Sequence, residues 1–202
     1  MKNLKFLLVF CLCSLMAASP VKNGYEVGDT ATDFKLKNVD GNMVSLADYK
    51  EAKGFIVIFD CNTCPYSKAY NDRIIALSKK YPKDFPLIAI NANSPEESSG
   101  DSFEAMVRYA KKHGYDFPYL VDETQEVAKT YGATNTPHVF VLNKSQNNLK
   151  VAYIGTIDDN ARDASSVTKR YVEAAVDALI AGKPVATSKT KAIGCGIKWK
   201  DA

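Results

Sequence analysis

The chain has 202 residues, of which 46% are hydrophobic and 24% are charged, and its formal net charge is +3. This composition is ordinary for a globular protein of one domain, or at most two, that buries a real core. The small positive charge does not indicate a nucleic-acid partner, because it includes two lysines of the N-terminal segment.

The N-terminal segment has the layout of a secretory signal peptide. Lys2 and Lys5 precede an apolar run over residues 6–16, and the small residues Ala17-Ala18-Ser19 follow. The run is shorter than the about 20 residues that a transmembrane helix needs, so we expect no stable membrane span. The prediction is a signal peptide over residues 1–19 and an exported protein of the bacterial periplasm.

Three cysteines remain once such a leader is removed. Cys11 and Cys13 lie in the leader, whereas Cys61 and Cys64 form a close pair and Cys195 stands alone. A disulfide scaffold would show several pairs in a shorter chain. The pattern indicates a redox pair and one additional thiol.

A domain over residues 20–184 is predicted to follow the leader, and a tail over residues 185–202 is predicted to dock on it. Hydrophobic periodicity and turn residues predict these elements in chain order: a hairpin of strands 33–36 and 42–46, a buried strand 54–59, a helix from Pro65 to Tyr81, a strand 85–92, a helix from Asp101 or Ser102 to Gly114, a strand 117–121, a helix capped by Thr124 that ends near Tyr131, an antiparallel pair 139–142 and 150–157, and a helix from Ser165 or Ser166 to Ile180. Strands and helices alternate, so the predicted fold class is α/β.

The segment Cys61-Asn62-Thr63-Cys64-Pro65 joins the buried strand 54–59 to the helix that follows it. Unpaired N–H groups and the helix dipole stabilise a thiolate at a helix N-terminus, and the thiolate is the reactive form of cysteine. The spacing therefore predicts thiol-disulfide exchange. We assign Cys61 as the nucleophile that caps the helix and faces solvent, and Cys64 as the resolving thiol. Pro65 suits the first helical turn, where its missing N–H costs nothing.

The cysteine pair is also compatible with two roles that involve no exchange. It could form a structural disulfide, or it could supply half of a zinc site. Zinc requires further ligands, and His113, His138 and Cys195 are scattered through the chain. Exchange is the favoured interpretation, and it requires no cofactor.

The order of the motifs resembles the thioredoxin-like superfamily. A strand, Cys-x-x-Cys, a helix, and Thr136-Pro137 before an antiparallel strand pair follow one another. More closely, residues 117–128 and the tail motif of residues 193–200 resemble peroxiredoxin-like proteins of the thioredoxin family, related to alkyl hydroperoxide reductase and thiol-specific antioxidant proteins. The resemblance covers about residues 25–200. It implies a thioredoxin-like fold, with a central mixed β-sheet flanked by helices, an N-terminal hairpin and an inserted helix.

The resemblance also implies the substrate side of the site. In thioredoxin folds the bond before the corresponding proline is cis and lies beside the dithiol. The preceding residue offers its backbone to an extended substrate, so Thr136 and Pro137 are the predicted substrate-binding residues. The expected partners are protein disulfide or dithiol substrates and an upstream thiol-disulfide electron donor.

A peroxidase of the peroxiredoxin type is the alternative activity. Peroxiredoxins carry the pattern Pro-x-x-x-Thr-x-x-Cys, in which the threonine helps to polarise the peroxide bond. Aligned on Cys64, the pattern falls on Val57 and Cys61, and aligned on Cys61 it falls on Gly54 and Ile58. Both alignments fail, so the prediction is a thiol-disulfide oxidoreductase. A non-catalytic binding module with a structural disulfide is the third alternative.

Two residues besides Pro65 are possible accessories of the site. Asp60 stands where thioredoxins have tryptophan, and its charge would oppose a thiolate at Cys61. A less acidic Cys61 makes a weaker oxidant, which favours a disulfide reductase, unless Asp60 points to water. Cys195, with Trp199, is expected beside Cys61 as a gate or an extra resolving thiol, or else as an ordinary buried cysteine.

Overall fold

The computed structural model describes residues 24–145 and 148–200. The predicted signal peptide of residues 1–19 lies outside the described residues. Among the described helices, none is long and apolar enough to cross a membrane.

Strands and helices alternate along the chain, as the hydrophobic pattern predicts. In chain order the elements are β1 (Thr30–Ala31), β2 (Lys35–Asn38), β3 (Met43–Ser45), β4 (Gly54–Phe59), α1 (Pro65–Lys80), β5 (Leu87–Asn91), α2 (Phe103–His113), β6 (Tyr119–Val121), α3 (Glu126–Tyr131), β7 (Asn135–Thr136), β8 (His138–Ser145), β9 (Asn148–Gly155), α4 (Tyr171–Ile180) and β10 (Cys195–Gly196).

Eight strands form one mixed sheet in the order β1-β9-β8-β4-β5-β6-β2-β3. β4 lies near its centre, parallel to β5 and antiparallel to β8. Every residue of β4 and β5 is buried, because the rest of the chain covers both faces of the sheet. β2 and β3 form the N-terminal hairpin, and α2 is the inserted helix. The predicted α/β fold with a central mixed sheet is confirmed.

Alternate residues of β4 point into two separate hydrophobic cores. Ile56 and Ile58 pack against α1, α2 and α4, whereas Val57 and Phe59 pack against α3 and residues 31–46. The alternation follows from the two-residue period of a strand. Because both faces of β4 are anchored, the loop that follows Phe59 and carries the two cysteines starts from a fixed point.

The N-cap of α3 is Gln125, with a positive φ of 61°, one residue after the predicted cap. The Thr124 hydroxyl still accepts a hydrogen bond from the Glu126 N–H at 3.4 Å. The Asp122 carboxylate also accepts a hydrogen bond from the N–H of Ala128 at 2.8 Å. A carboxylate two residues upstream of the predicted cap therefore satisfies the first turn.

α4 also begins later than the sequence predicts, at Tyr171 instead of Ser165 or Ser166. The Asp163 carboxylate accepts hydrogen bonds from the N–H and O–H of Ser165 at 2.8 and 2.7 Å and from the O–H of Ser166 at 2.6 Å. These bonds hold the serines in a single 3₁₀ turn, Ala164–Ser166. Asp and Ser compete with the helix for backbone groups in this way.

The segment after α4 runs along the edge of the domain. The N–H of Ile154 in β9 donates to the Ser188 carbonyl at 3.0 Å, and the N–H of Thr190 donates to the Ile154 carbonyl at 2.9 Å. Further along, β10 pairs antiparallel with β7 in a separate two-stranded sheet. This pairing brings the segment next to the loop that carries the two cysteines.

Candidate active site

The two cysteines lie between the end of β4 and the first turn of α1. Cys64, not Cys61, is the N-cap of α1, with φ −66° and ψ 127°. A residue that precedes proline is disfavoured in the helical region, so Pro65 at the first helical position keeps Cys64 outside the helix. The predicted helix cap at Cys61 is wrong for this reason.

Both cysteine side chains are buried. Cys61 is 1% exposed and Cys64 is 3% exposed, so the predicted solvent-facing position of Cys61 is also wrong. The Cys61 Sγ lies 3.1 Å from Thr136 Oγ1 and 3.9 Å from Ser67 Oγ. Cys61 is therefore enclosed between α1 and the loop that leads into β8.

Thr136 is the common partner of the two thiols. Its hydroxyl contacts Cys61, and its carbonyl oxygen accepts a hydrogen bond from the Cys64 thiol at 3.2 Å. The peptide bond between Thr136 and Pro137 is cis, as expected. The structure thus brings the predicted dithiol and the predicted substrate-binding residues together.

Hydrogen bonding separates the acidities of the two thiols. The interaction between the two neighbouring sulfurs lowers the pKa of Cys64 to about 4 and raises the pKa of Cys61. Burial, and then the carboxylates of Asp101 and Asp60, raise the pKa of Cys61 further. Of the two sulfurs, Cys64 is therefore the one on which a negative charge is favoured.

A buried carboxylate holds the two residues between the cysteines. Asp101 accepts hydrogen bonds from the Asn62 N–H and from the Thr63 hydroxyl, both at 2.7 Å. Other donors to the same carboxylate come from the loop after β5 and from β5 itself: Asn91, Asn93 and Ser98. Burial opposes ionisation of Asp101, but these donors outweigh it and lower the pKa. An ionised side chain therefore fixes the loop between the cysteines.

Asp60 is buried beside the dithiol. It is 2% exposed, so the alternative that it points to water is wrong. Burial raises the pKa of Asp60 to about 7, although hydrogen bonds from Ser67 and from the Cys61 N–H act in the opposite direction. Its Oδ1 has no hydrogen-bond partner in the described part of the chain. Asp60 therefore changes its charge near neutral pH, next to the reacting sulfurs.

Sequence patterns do not identify Asp101 or Ser67 as parts of this site. Asp101 is predicted only as a helix start, because the residues that it fixes, Asn62 and Thr63, are 39 and 38 positions away. The usable signal is the polar loop of residues 93–100, which places several donors just before a carboxylate.

Cys61, Cys64 and Cys195 are free thiols in this structure. Cys195 is half-buried and lies opposite Thr136 in the pairing of β10 with β7. Over residues 24–145 and 148–200, no group of three or more His, Cys, Asp or Glu residues is arranged to hold a metal ion.

The fold and the site together define the class of protein. A mixed sheet, Cys-x-x-Cys at the start of a helix and a cis-proline beside the dithiol are the parts of a thioredoxin-like oxidoreductase. More particularly, the chain belongs to the AhpC/TSA family, whose model matches residues 27–153.

Known proteins agree with this class. The chain is 25% identical over 126 residues to the thiol-disulfide oxidoreductase ResA of Geobacillus thermodenitrificans, and the match covers 61% of this chain and 67% of ResA. It resembles the crystal structure of a conserved protein from Geobacillus kaustophilus with a TM-score of 0.81 and 41% identity, over 89% of this chain and 95% of that one. A structure from Sinorhizobium meliloti 1021 gives a TM-score of 0.81 at 34% identity, over 89% and 98% of the two chains. The chain is a thioredoxin-like thiol-disulfide oxidoreductase.

Proposed function

We propose that the chain is an exported enzyme that reduces protein disulfides through Cys61 and Cys64, with Thr136 and Pro137 as the substrate platform. The observation that carries the proposal is the convergence of both sulfurs on Thr136, 3.1 Å from its hydroxyl and 3.2 Å from its carbonyl oxygen. Both thiols are thus held at a residue whose backbone pairs with an extended segment, here β10 of the same chain.

The proposed reaction moves two electrons from the dithiol to a substrate disulfide. The reaction has two exchanges. A thiolate of the pair first forms a mixed disulfide with one substrate sulfur, and the other thiol of the pair then attacks that disulfide and displaces the substrate sulfur. The products are two substrate thiols and the Cys61–Cys64 disulfide. An upstream thiol-disulfide electron donor restores the dithiol.

The proposed order of the two thiols differs from the order assigned from the sequence. The sequence makes Cys61 the nucleophile, but its raised pKa keeps it protonated, whereas the pKa of Cys64 is lowered to about 4. We therefore assign the attacking thiolate of the pair to Cys64 and the resolving step to Cys61. Pro65 contributes by holding Cys64 at the N-cap.

The proposed direction is reductive. The carboxylates of Asp101 and Asp60 oppose negative charge at Cys61, and destabilising a thiolate favours the disulfide form and lowers the reduction potential. The acidic thiol of Cys64 has the opposite effect and raises the reduction potential. A measurement of the reduction potential therefore decides the direction of the exchange.

Equilibration with glutathione buffers measures this potential. A value between about −230 and −290 mV supports a reductase, and a value near about −120 mV would assign oxidation instead. A value below about −300 mV would indicate a structural disulfide and a non-catalytic binding module. The Cys64→Ser variant is the control and should show no Cys61-linked transition.

Export is proposed from the leader of residues 1–19. Lys2, Lys5 and the apolar run after them support it. N-terminal sequencing of protein recovered from the periplasmic fraction tests it, and we expect cleavage near Ala17 to Ser19. Recovery of chain that still begins at Met1, in the cytoplasmic fraction alone, would contradict export.

Peroxide reduction is the second candidate, because the chain belongs to the AhpC/TSA family and Cys64 carries an acidic thiol. Peroxidases of this kind need a donor such as arginine beside the thiolate. The four arginines of the chain have other surroundings: Arg73 binds Asp158 at 2.7 Å, and Arg108, Arg162 and Arg170 are exposed. Fast second-order consumption of hydrogen peroxide by the reduced protein would place this activity first.

A further inference from the structure

A third thiol lies against the dithiol. The antiparallel register of β10 and β7 places Cys195 opposite Thr136, the residue that both Cys61 and Cys64 contact. The thiol and the backbone N–H of Cys195 also lower the pKa of the Cys64 thiol, which places them beside its sulfur. The three cysteines therefore meet at one threonine.

Accessibility increases from the dithiol to the third thiol. Cys61 and Cys64 are 1% and 3% exposed, whereas Cys195 is half-buried. Of the three cysteines, Cys195 is therefore the residue most exposed to solvent.

The backbone is fixed just before Cys195. Gly194 packs so closely on Thr136 that an added Cβ would lie 2.1 Å from the Thr136 carbonyl oxygen. The Gly194 carbonyl also accepts a hydrogen bond from Asn135 Nδ2 at 3.1 Å. Only a residue without a side chain fits this approach.

The backbone is also fixed after Cys195. The N–H of Ile197 donates to the Thr134 carbonyl at 3.1 Å, and the Lys198 carbonyl accepts from the Ser94 N–H at 2.8 Å. Ile197 itself is buried in the core. Lifting this segment would break these bonds and expose an isoleucine, so these contacts hold Cys195 against Thr136.

We propose that Cys195 is a third catalytic thiol, which takes the substrate disulfide at the surface and passes it inward to Cys64. The proposal rests on the proposed function of the Cys61–Cys64 pair and names the residue through which the substrate enters. The substrate class is an exposed protein disulfide or a small disulfide such as oxidised glutathione.

Three exchanges complete the cycle, and each conserves electrons. The Cys195 thiolate attacks one substrate sulfur, forms a mixed disulfide and releases the other substrate sulfur as a thiolate. The Cys64 thiolate attacks the Cys195 sulfur, forms the Cys64–Cys195 disulfide and releases the second substrate thiolate. Cys61 then loses its proton, attacks the Cys64 sulfur, forms the Cys61–Cys64 disulfide and frees Cys195 as a thiol.

The charges around Cys195 give this route a distinctive pH dependence. Burial and the neighbouring Cys64 raise the pKa of Cys195 to about 11, against the Lys198 ammonium and the Tyr66 N–H, which stabilise its thiolate. The rate of substrate entry should therefore rise roughly tenfold per pH unit between about pH 7 and pH 9. Direct attack by Cys64, whose pKa is lowered to about 4, would be independent of pH in that range.

Trapping with oxidised glutathione tests the order of the exchanges, with the full chain carrying Cys11→Ser and Cys13→Ser in every variant. In Cys61→Ser we expect a Cys64–Cys195 disulfide, identified by peptide mass. In Cys64→Ser we expect glutathione on Cys195. Glutathione on Cys64 without a link to Cys195 in the first variant, and on Cys61 alone in the second, would overturn the proposal.

Turnover of a protein disulfide provides the second test. Cys195→Ser should lower the rate at pH 8 by at least about tenfold, because the entry thiol is absent. Ile193→Ser, at a position of the same segment that is 46% exposed, is the matched control and should keep the wild-type rate. If the wild type does not reduce the substrate, the proposed function fails. If Cys195→Ser reduces it as fast as the wild type, only the role of Cys195 fails.

The alternative to substrate entry through Cys195 is that the segment around Cys195 moves aside when the substrate binds. Trp199, the single tryptophan of the chain, lies in this segment and reports such a movement. Trp199 packs against the hydrophobic core that contains Val57 and Phe59. We expect its emission maximum to stay constant during turnover. A shift to longer wavelength with each turnover, together with normal activity of Cys195→Ser, would show that the segment moves aside. This result would overturn the proposed transfer from Cys195 to Cys64.

Discussion

Asp60 is a carboxyl group that the fold buries next to the reacting sulfurs, and burial raises its pKa to about 7 from 3.8. Between these two pH values the folded chain binds a proton that the unfolded chain has released. The free energy of unfolding contributed by Asp60 therefore falls as the pH rises from about 4 to about 7. Burying this carboxyl beside the dithiol thus lowers the stability of the fold at neutral pH.

Asp60→Asn should remove this pH-dependent loss. The variant should match the wild type near pH 4 and exceed its free energy of unfolding at pH 8 by on the order of 2–4 kcal/mol, since one pKa unit corresponds to about 1.4 kcal/mol. Urea unfolding of the reduced protein at several pH values measures the difference. Asp72→Asn, at an exposed carboxyl on α1, is the control. Parallel profiles of wild type and Asp60→Asn would contradict the raised pKa.

The acidity of Cys64 depends on its neighbour. The Cys61 thiol is the largest cause that lowers the pKa of Cys64 to about 4, so Cys61→Ala should raise that pKa. Cys61→Ser keeps a hydroxyl donor and should give a value closer to the wild type. The thiolate absorbance in the ultraviolet, followed against pH in a Cys195→Ser background, measures both. If Cys61→Ala leaves the titration of Cys64 unchanged, the Cys61 thiol does not cause the lowered pKa of Cys64.

At this scale the sequence predicts which residues react better than it predicts their states. The Cys61/Cys64 pair is recognisable because its spacing carries the chemistry. Its burial and the order of its acidities depend on Thr136, which is 75 positions from Cys61. The burial of Asp60 likewise depends on what covers the end of β4, which a local pattern does not contain.

At the scale of the elements, β10 depends on one close approach of backbone. Gly194→Ala should displace β10, because its Cβ would lie 2.1 Å from the Thr136 carbonyl oxygen. Gly196→Ala is the matched control, since nothing lies within 4 Å of its added Cβ. Limited proteolysis and Trp199 emission should show a loosened segment in the first variant only. Equal protection of the two variants would contradict the close packing.

The loop between β4 and α1 depends on one carboxylate. Asp101→Asn replaces an acceptor-only group by one that carries two donors, so some of the N–H and O–H groups that now point at Asp101 lose their acceptor. We expect a loss of about 1–3 kcal/mol in the free energy of unfolding, measured with urea. Glu104→Gln, on the exposed face of α2, should change it by less than about 0.5 kcal/mol. A loss no larger than that of the control would show that the network is not needed.

The elements themselves follow the sequence wherever periodicity and a local cap coincide. α2 begins after Ser102, whose hydroxyl accepts the Ala105 N–H, and it ends at Gly114 with a positive φ of 65°. The two helices that begin later than predicted are those in which an aspartate, Asp122 or Asp163, binds the groups that a local cap would use. The choice between competing polar side chains is a matter of tertiary geometry.

For the whole molecule, the sheet order and both cores agree with the fold implied by the resemblance. The apolar runs of β4 and β5 require cover on two faces, which an α/β sandwich supplies. The place of β10 is different, because residues 185–200 have no strong period and their position depends on hydrogen bonds to several separate parts of the chain. No pattern within that segment names its partner.

The pairing of β10 with β7 has a consequence for biosynthesis. Cys195 joins the dithiol only after residues 193–198 have been synthesised and folded back onto the sheet. Until then a nascent chain carries Cys61 and Cys64 without the third thiol. Synthesis of residues 193–198 is therefore the step that adds Cys195 to the redox centre.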